Sequence, residues 1–186
     1  MSNDETWEAR FHEQAARLAA VEDERAICDT LYRYCHSLDY GLEDDFVDCF
    51  TADATWCWTV RDADLQAFLT YAVVPIGDPA GVPTPEDALV AASGAEQLRA
   101  MVHNHTSPPA RWHKHCVMNT RVEITGDTAH ANSYFVRVDA SRYSMDGFIR
   151  AFGRYHDDLV RGDDGRWRIS RRYTQLECHT DEVAPA

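Results

Sequence analysis

The run 111-RWHKHCVMNTRVEITGDTAHANSYFVRVDA-140 decides the fold. Apolar and polar residues alternate over 112–124 and again over 128–140, the period of two that a half-buried strand requires. Between them Thr125-Gly126-Asp127 supplies a tight reversal, so the two strands are read as an antiparallel pair. Two further runs, 147–161 and 166–178, flank Gly162-Asp163-Asp164-Gly165 and extend the same meander.

Towards the N-terminus the period becomes helical. Trp7, Phe11, Ala15 and Leu18 form a stripe over residues 5–20 that suits an amphipathic helix packed on the core. A second helix is expected over 22–41, with Ile27, Leu31, Tyr34, Cys35 and Leu38 as its apolar stripe and Gly41 as a left-handed cap. A short helix through Phe46, Val47 and Phe50 leads to a strand over 54–61, where Trp56, Trp58 and Val60 alternate with small or polar residues. Pro75, Pro79, Pro83 and Pro85, with Gly77 and Gly81, mark about 62–92 as a long loop or lid, because proline removes backbone donors. Ser93 then opens a helix with Glu96 as the partner of a capping box and Leu98, Met101 and Val102 as its buried face. Helices first and a long meander afterwards argue for an α+β fold, a curved sheet wrapped over helices. No internal repeat or linker divides residues 1–186, so one domain is expected.

Charge narrows the partners. Thirty-one Asp and Glu against eighteen Lys and Arg leave a formal charge of -13, which repels a phosphate backbone, and the only cationic cluster is the late Arg166, Arg168, Arg171 and Arg172. Nucleic acid is therefore excluded as an expected partner. No apolar run approaches the ~20 residues of a membrane-spanning helix, and the start MSNDETWEAR is polar, so a cytoplasmic protein without a membrane partner is expected. Six cysteines without a C-x-x-C pair read as reduced core thiols.

Chemistry concentrates at His113 and His115. Side chains two apart on a strand share a face, so the two imidazoles fit a metal pair, a catalytic base with a bystander, or two surface residues. A zinc site needs a third ligand. Glu123 lies too far along, and His103 and His105 stand beyond Pro108-Pro109, so neither a metal nor a cofactor is expected. An acid–base histidine instead needs a carboxylate to fix its tautomer and stabilise its protonated form. Asp39 is the candidate: it falls in a helix's last turn, where it opposes the helix dipole and gains nothing as a cap. Tyr34 reads either as a phenolic donor to the same cavity or as core. On the third strand of the meander, Phe148, Arg150, Phe152, Arg154 and His156 share one face. Two arginines and a histidine would be costly in a sealed core, so that face meets solvent or lines a wet pocket. Arg172 either joins that pocket or pairs with a carboxylate.

These residues also carry a family resemblance. The run 27-ICDTLYRYCHSLDYGLEDDFVDCFTADATW-56 resembles the N-terminal signature of the SnoaL-like branch of the nuclear transport factor 2-like superfamily. The later 153-GRYHDDLVRGDDGRWRISRR-172 resembles its closing hairpin, with 115-HCVMNTRVEI-124 between them. The resemblance spans roughly 20–178 and implies a cone-shaped α+β barrel around a deep apolar pocket, assembled as a homodimer or homotrimer. Within the branch, the chain is similar to the scytalone dehydratase, hexachlorocyclohexane dehydrochlorinase and bile-acid dehydratase group. That similarity implies Asp39 and His115 as a catalytic dyad and Tyr34 as their companion.

Ala140 and Leu38 depart from the scytalone enzyme's second histidine and tyrosine, and His156 falls near its active-site asparagine. The implied activity is a cofactor-independent lyase or isomerase, dehydratase- or cyclase-like, acting on a hydrophobic small molecule. Its expected pocket comprises Trp58, Val117, Asn119, Val138, Phe152, Arg154, His156 and Arg172, with His113 left at the entrance or in a structural role. The alternative is a ligand-binding protein without catalysis, or an assembly protein like the β subunit of ring-hydroxylating dioxygenases.

Overall fold

A computed structural model describes residues 3–60, 89–106, 112–141 and 145–180. The elements are α1 (Asn3–Tyr40), α2 (Glu43–Asp48), β1 (Phe50–Val60), β2 (Leu89–Ser93), α3 (Gly94–Thr106), β3 (His113–Thr125), β4 (Thr128–Ala140), β5 (Gly147–Arg161) and β6 (Trp167–His179). The four late strands form the antiparallel meander that alternation and turn residues predict, β3 to β6 in sequence order. β1 then joins the free side of β6 in parallel, and β2 pairs antiparallel with β1. The six-stranded sheet has the order β2-β1-β6-β5-β4-β3 and is open, with β2 and β3 at its edges. Strand pairing therefore does not close the expected barrel; α1 lies against β3 and β6, and α3 against β1 and β2.

The two expected N-terminal helices are one. Nothing in 18-LAAVEDERAI-27 breaks a helix, since it holds neither glycine nor proline, and α1 runs unbroken for 38 residues. Only its second half packs on the core. Ile27, Leu31, Tyr34 and Leu38 are buried, whereas Trp7, Phe11 and Leu18 are 69%, 61% and 59% exposed. The stripe read as a packing face thus lies on the surface of this chain. At the other end Gly41 takes φ 66° and the Leu42 N–H donates to the Ser37 carbonyl at 2.9 Å, closing the helix as the sequence predicts and fixing Asp39 in its last turn.

α1 is pinned to the β5–β6 hairpin at several points, among them Asp23, which accepts from Arg161 and from the Trp167 indole at 3.1 Å. The Thr30 hydroxyl donates to the Trp167 carbonyl at 2.8 Å, and Asp48 accepts from Arg33, Arg166 and Arg168 together. Those three guanidinium groups outweigh partial burial and hold the Asp48 carboxyl at about 2. The core between helices and sheet joins Ile27, Leu31 and Leu38 to Leu98 and Val102 of α3 and to Phe135, Leu159, Ile169 and Leu176 of the sheet. Each such side chain contributes about 1.5–3 kcal/mol on burial. The start of α3 differs from the expected capping box, since Gln97 rather than Glu96 accepts from the Ser93 N–H, at 2.9 Å. The proline-rich segment read as a lid lies outside the described residues up to 88, and 89–93 form β2 rather than loop. All six cysteines are free thiols; Cys35, Cys49 and Cys57 are buried, while Cys116 is exposed. Among the described residues no helix is long and apolar enough to cross a membrane.

Candidate active site

The last turn of α1 meets the first residues of β3, and this junction brings Asp39 and His115 together. One carboxylate oxygen of Asp39 accepts the backbone N–H of His115 at 2.9 Å. The other stands 2.6 Å from His115 Nδ1. Since a carboxylate only accepts, the short contact assigns the ring proton to Nδ1 and leaves the Nε2 lone pair available. The two side chains are 3% and 8% exposed, so the contact is shielded from solvent. An aspartate that opposes the helix dipole is thereby given two donors from one residue, which accounts for its position.

His113 does not sit at an entrance. It is 4% exposed, on the same face of β3 as His115, with Nε2 3.6 Å from Asp39 Oδ1. His105, from the last turn of α3, completes a group of three imidazoles: its ring centroid lies 5.0 Å from that of His113 and 5.8 Å from that of His115. Burial, with a smaller effect of the Arg137 charge, lowers the His105 pKa to about 3, so this ring is neutral. Arg137 is itself neutralised by Asp139, at 2.7 and 3.1 Å, across from the histidines on β4.

Tyr34 lies deeper under the sheet. Its ring packs on Phe46, Phe50 and Tyr155 at centroid distances of 5.3, 5.8 and 6.0 Å. Its hydroxyl is buried without a hydrogen-bond partner among the described residues, so it is not bonded to the dyad. Burial pushes its pKa up to about 12, which keeps the phenol a proton donor. Beside it Arg172, fully buried, holds Asp157 at 2.7 and 2.8 Å and lays its guanidinium 3.8 Å above the Tyr34 ring and 4.2 Å from that of Tyr155. Of the two fates open to Arg172, pairing with a carboxylate is the one the structure adopts.

The remaining expected pocket residues divide by sheet face. Trp58 and Val117 are partly buried and pack against the core on the dyad's side of the sheet. Val138, Phe152, Arg154 and His156 lie on the opposite face, where Arg154 pairs with Glu177 at 2.7 Å and His156 Nδ1 meets the Asn132 amide oxygen at 2.5 Å. The reason is steric. A side chain at Gly153 would collide with the Gln175 carbonyl and stand 2.9 Å from Phe135 Cε1, so β5 turns its small residues, Ala151 and Gly153, inward. Arg154 and His156 then fall on the far face, half-buried, while Asp157 turns inward with the small residues. Asn119 is also displaced: it is exposed at the β3 bulge with φ 54°, a left-handed conformation asparagine tolerates. Sequence reasoning missed His105 and the inward position of His113; the shared facing of residues 113 and 115 was the signal for the latter.

The geometry can be set beside known proteins. No curated protein matches the chain by sequence at a significant level. Among solved structures, the chain is similar to a nuclear transport factor 2-like protein with a cystatin-like fold from Novosphingobium aromaticivorans. Identity is 22%, coverage 88% of this chain and 87% of that one, and TM-score 0.63. A candidate scytalone dehydratase from the same organism is 17% identical over 90% of this chain and 92% of that one, with a TM-score of 0.62. The β subunit of a candidate aromatic-ring-hydroxylating dioxygenase, again from that organism, is 16% identical over 90% and 95% of the two chains, with a TM-score of 0.61. These likenesses establish the fold, an α+β sheet packed on N-terminal helices. The SnoaL-like domain matches residues 19–173, and the chain belongs to the SnoaL-like domain family.

Proposed function

We propose that the protein is a cofactor-independent lyase or isomerase in which the Asp39–His115 dyad removes a proton from carbon. The observation that carries this reading is the double contact of Asp39 with the backbone N–H and Nδ1 of His115. It orients the ring and leaves Nε2 as the base. His115 Nε2 takes a proton next to a carbonyl; the C–H electron pair forms the enolate and then expels a β-leaving group, or returns to carbon elsewhere as an isomerisation. Asp39 stabilises the imidazolium so formed, and the Tyr34 hydroxyl, buried and without a partner among the described residues, is the donor for the developing oxyanion.

Trp58 and Val117 on the dyad's face favour a hydrophobic substrate. The similarity to a candidate scytalone dehydratase supports dehydration as the elimination. At an effective dielectric of about 20, a carboxylate about 4 Å from the imidazolium charge contributes roughly 4 kcal/mol, or about 10³ in rate. The test is elimination or solvent-deuterium exchange on a panel of cyclic β-hydroxy ketones and β-halogenated rings. Turnover should vanish in His115→Gln and fall about 10³-fold in Asp39→Asn; a His115→Gln variant with full activity would refute the dyad. Assembly as a homodimer or homotrimer is part of the same proposal, supported by the apolar residues α1 leaves exposed.

A further inference from the structure

We propose that His105, His113 and His115 form a three-nitrogen site for a divalent transition-metal cation of the Zn²⁺ type. Each offers one ring nitrogen, and the three nitrogens lie within 4.8 Å of one another. In a tetrahedral zinc site, bonds of about 2.0–2.1 Å place ligand nitrogens about 3.3 Å apart. Closing the present arrangement to that spacing is a matter of small ring rotations, because two ligands share one face of β3 and the third ends α3.

Three further observations favour a cation. The Nε2 of His105 is buried without a hydrogen-bond partner among the described residues, an arrangement that water or a ligand must otherwise relieve. Its ring stands against both imidazoles of β3, 5.0 Å from that of His113 and 5.8 Å from that of His115 between centroids. Asp39 occupies the supporting position: bound to Nδ1 of His115, it aims the opposite nitrogen away from itself, the carboxylate–histidine arrangement that orients imidazole towards a metal. The carboxylate also lies 3.6 Å from His113 and supplies negative charge beside a dication. Of the positive charges nearby, Arg137 is already paired with Asp139, and the Lys114 ammonium donates to the His113 carbonyl at 2.7 Å. Three imidazoles without a thiolate select zinc, cobalt, nickel or copper over magnesium or calcium.

The site has a consequence for the dyad, though it does not rest on it. A cation held by His115 Nε2 takes the lone pair that proton abstraction needs, so the loaded protein lacks a free base at this position.

The test requires no substrate. Metal-free full-length protein is titrated with Co²⁺ and followed by its visible d–d bands, with Zn²⁺ as the competitor and calorimetry for stoichiometry. One cobalt per chain with the intense bands of a four-coordinate site, displaced by zinc, is expected. His105→Gln and His113→Gln should each weaken binding at least 100-fold, and Asp39→Asn about 10–100-fold. His103→Gln serves as the control, since that ring is exposed on the same helix and paired with Glu43. Absence of saturable binding overturns the proposal, as does binding that survives His105→Gln in a variant shown to be folded by circular dichroism. Loss of binding in the His103→Gln control would equally overturn it by placing the metal on the surface.

Discussion

Arg172 and Asp157 allow the sharpest quantitative test. Both side chains are 0% exposed and joined by two hydrogen bonds, with the guanidinium between the rings of Tyr34 and Tyr155. Removing one member leaves the other charge buried and alone, which costs about 3–5 kcal/mol. Asp157→Asn should therefore lower unfolding stability by roughly 4 kcal/mol. With a urea slope of about 2 kcal/mol per molar, the midpoint falls by about 2 M. Arg172→Met should cost at least as much, because it strands Asp157 and also removes the cation from two aromatic faces. Replacing both, Arg172→Met with Asp157→Leu, removes the pair and its desolvation together. The double variant should lie within about 1–2 kcal/mol of the parent. With Asp157→Leu added as the matching single variant, urea denaturation of the parent, Arg172→Met, Asp157→Leu and the double variant gives the coupling energy directly. If the single variants each lose less than about 1 kcal/mol, the pair is solvated and the buried placement of Arg172 is wrong.

Three other outcomes follow from the packing. Gly153→Ala should fail to fold or lose several kcal/mol, since the added methyl meets the Gln175 carbonyl and the Phe135 ring; a folded variant of parental urea midpoint would contradict that register. His156 is held below its ordinary pKa by burial first, with Arg154 and His130 adding to it. The unfolded chain therefore protonates first as pH falls through about 6.5, so stability present above that pH is lost below it until the folded ring also protonates. His156→Gln should reduce that slope in urea midpoints measured from about pH 7.5 to 5, leaving the part contributed by His105, which burial holds at about 3, and an unchanged slope would exclude His156 as one of its sources. Phe11→Asp with Leu18→Asp should reduce the solution mass to the 21.1 kDa of one chain by sedimentation, and a parent that already sediments as one chain would rule out assembly through this stripe.

The parts legible in the sequence are those set by local chemistry. Strand limits at β3 to β6 emerge from alternation and from the glycines of two turns, because a period of two and a left-handed turn are properties of neighbouring residues. The Asp39 position was legible because a carboxylate in a helix's last turn lacks a local explanation. The facing of β5 was not. Its two faces, Phe152-Arg154-His156 and Ala151-Gly153-Tyr155, alternate equally well, and only the approach of Gln175 and Phe135 to Gly153 decides between them. The exposed first half of α1 carries the same periodicity as a packed helix, so pattern alone misplaces it. His105 was missed because its approach to His113 depends on where α3 ends relative to β3, a long-range fact with no local trace.

One carboxylate links the two readings of the site. Asp39 is buried against the helix dipole, and it is compensated by two hydrogen bonds, from the backbone and the ring of His115, with His113 3.6 Å away. This fixes the ring in one tautomer, and a fixed tautomer serves proton abstraction and metal ligation equally, since both use the Nε2 lone pair. The same atom cannot do both at once. Turnover by the dyad and occupancy of the three-histidine site must therefore vary inversely if both hold: a chelator should raise the rate on any substrate that the base accepts, and added Zn²⁺ should suppress it. A rate that instead rises with zinc would assign His115 to the metal and remove it from the role of base.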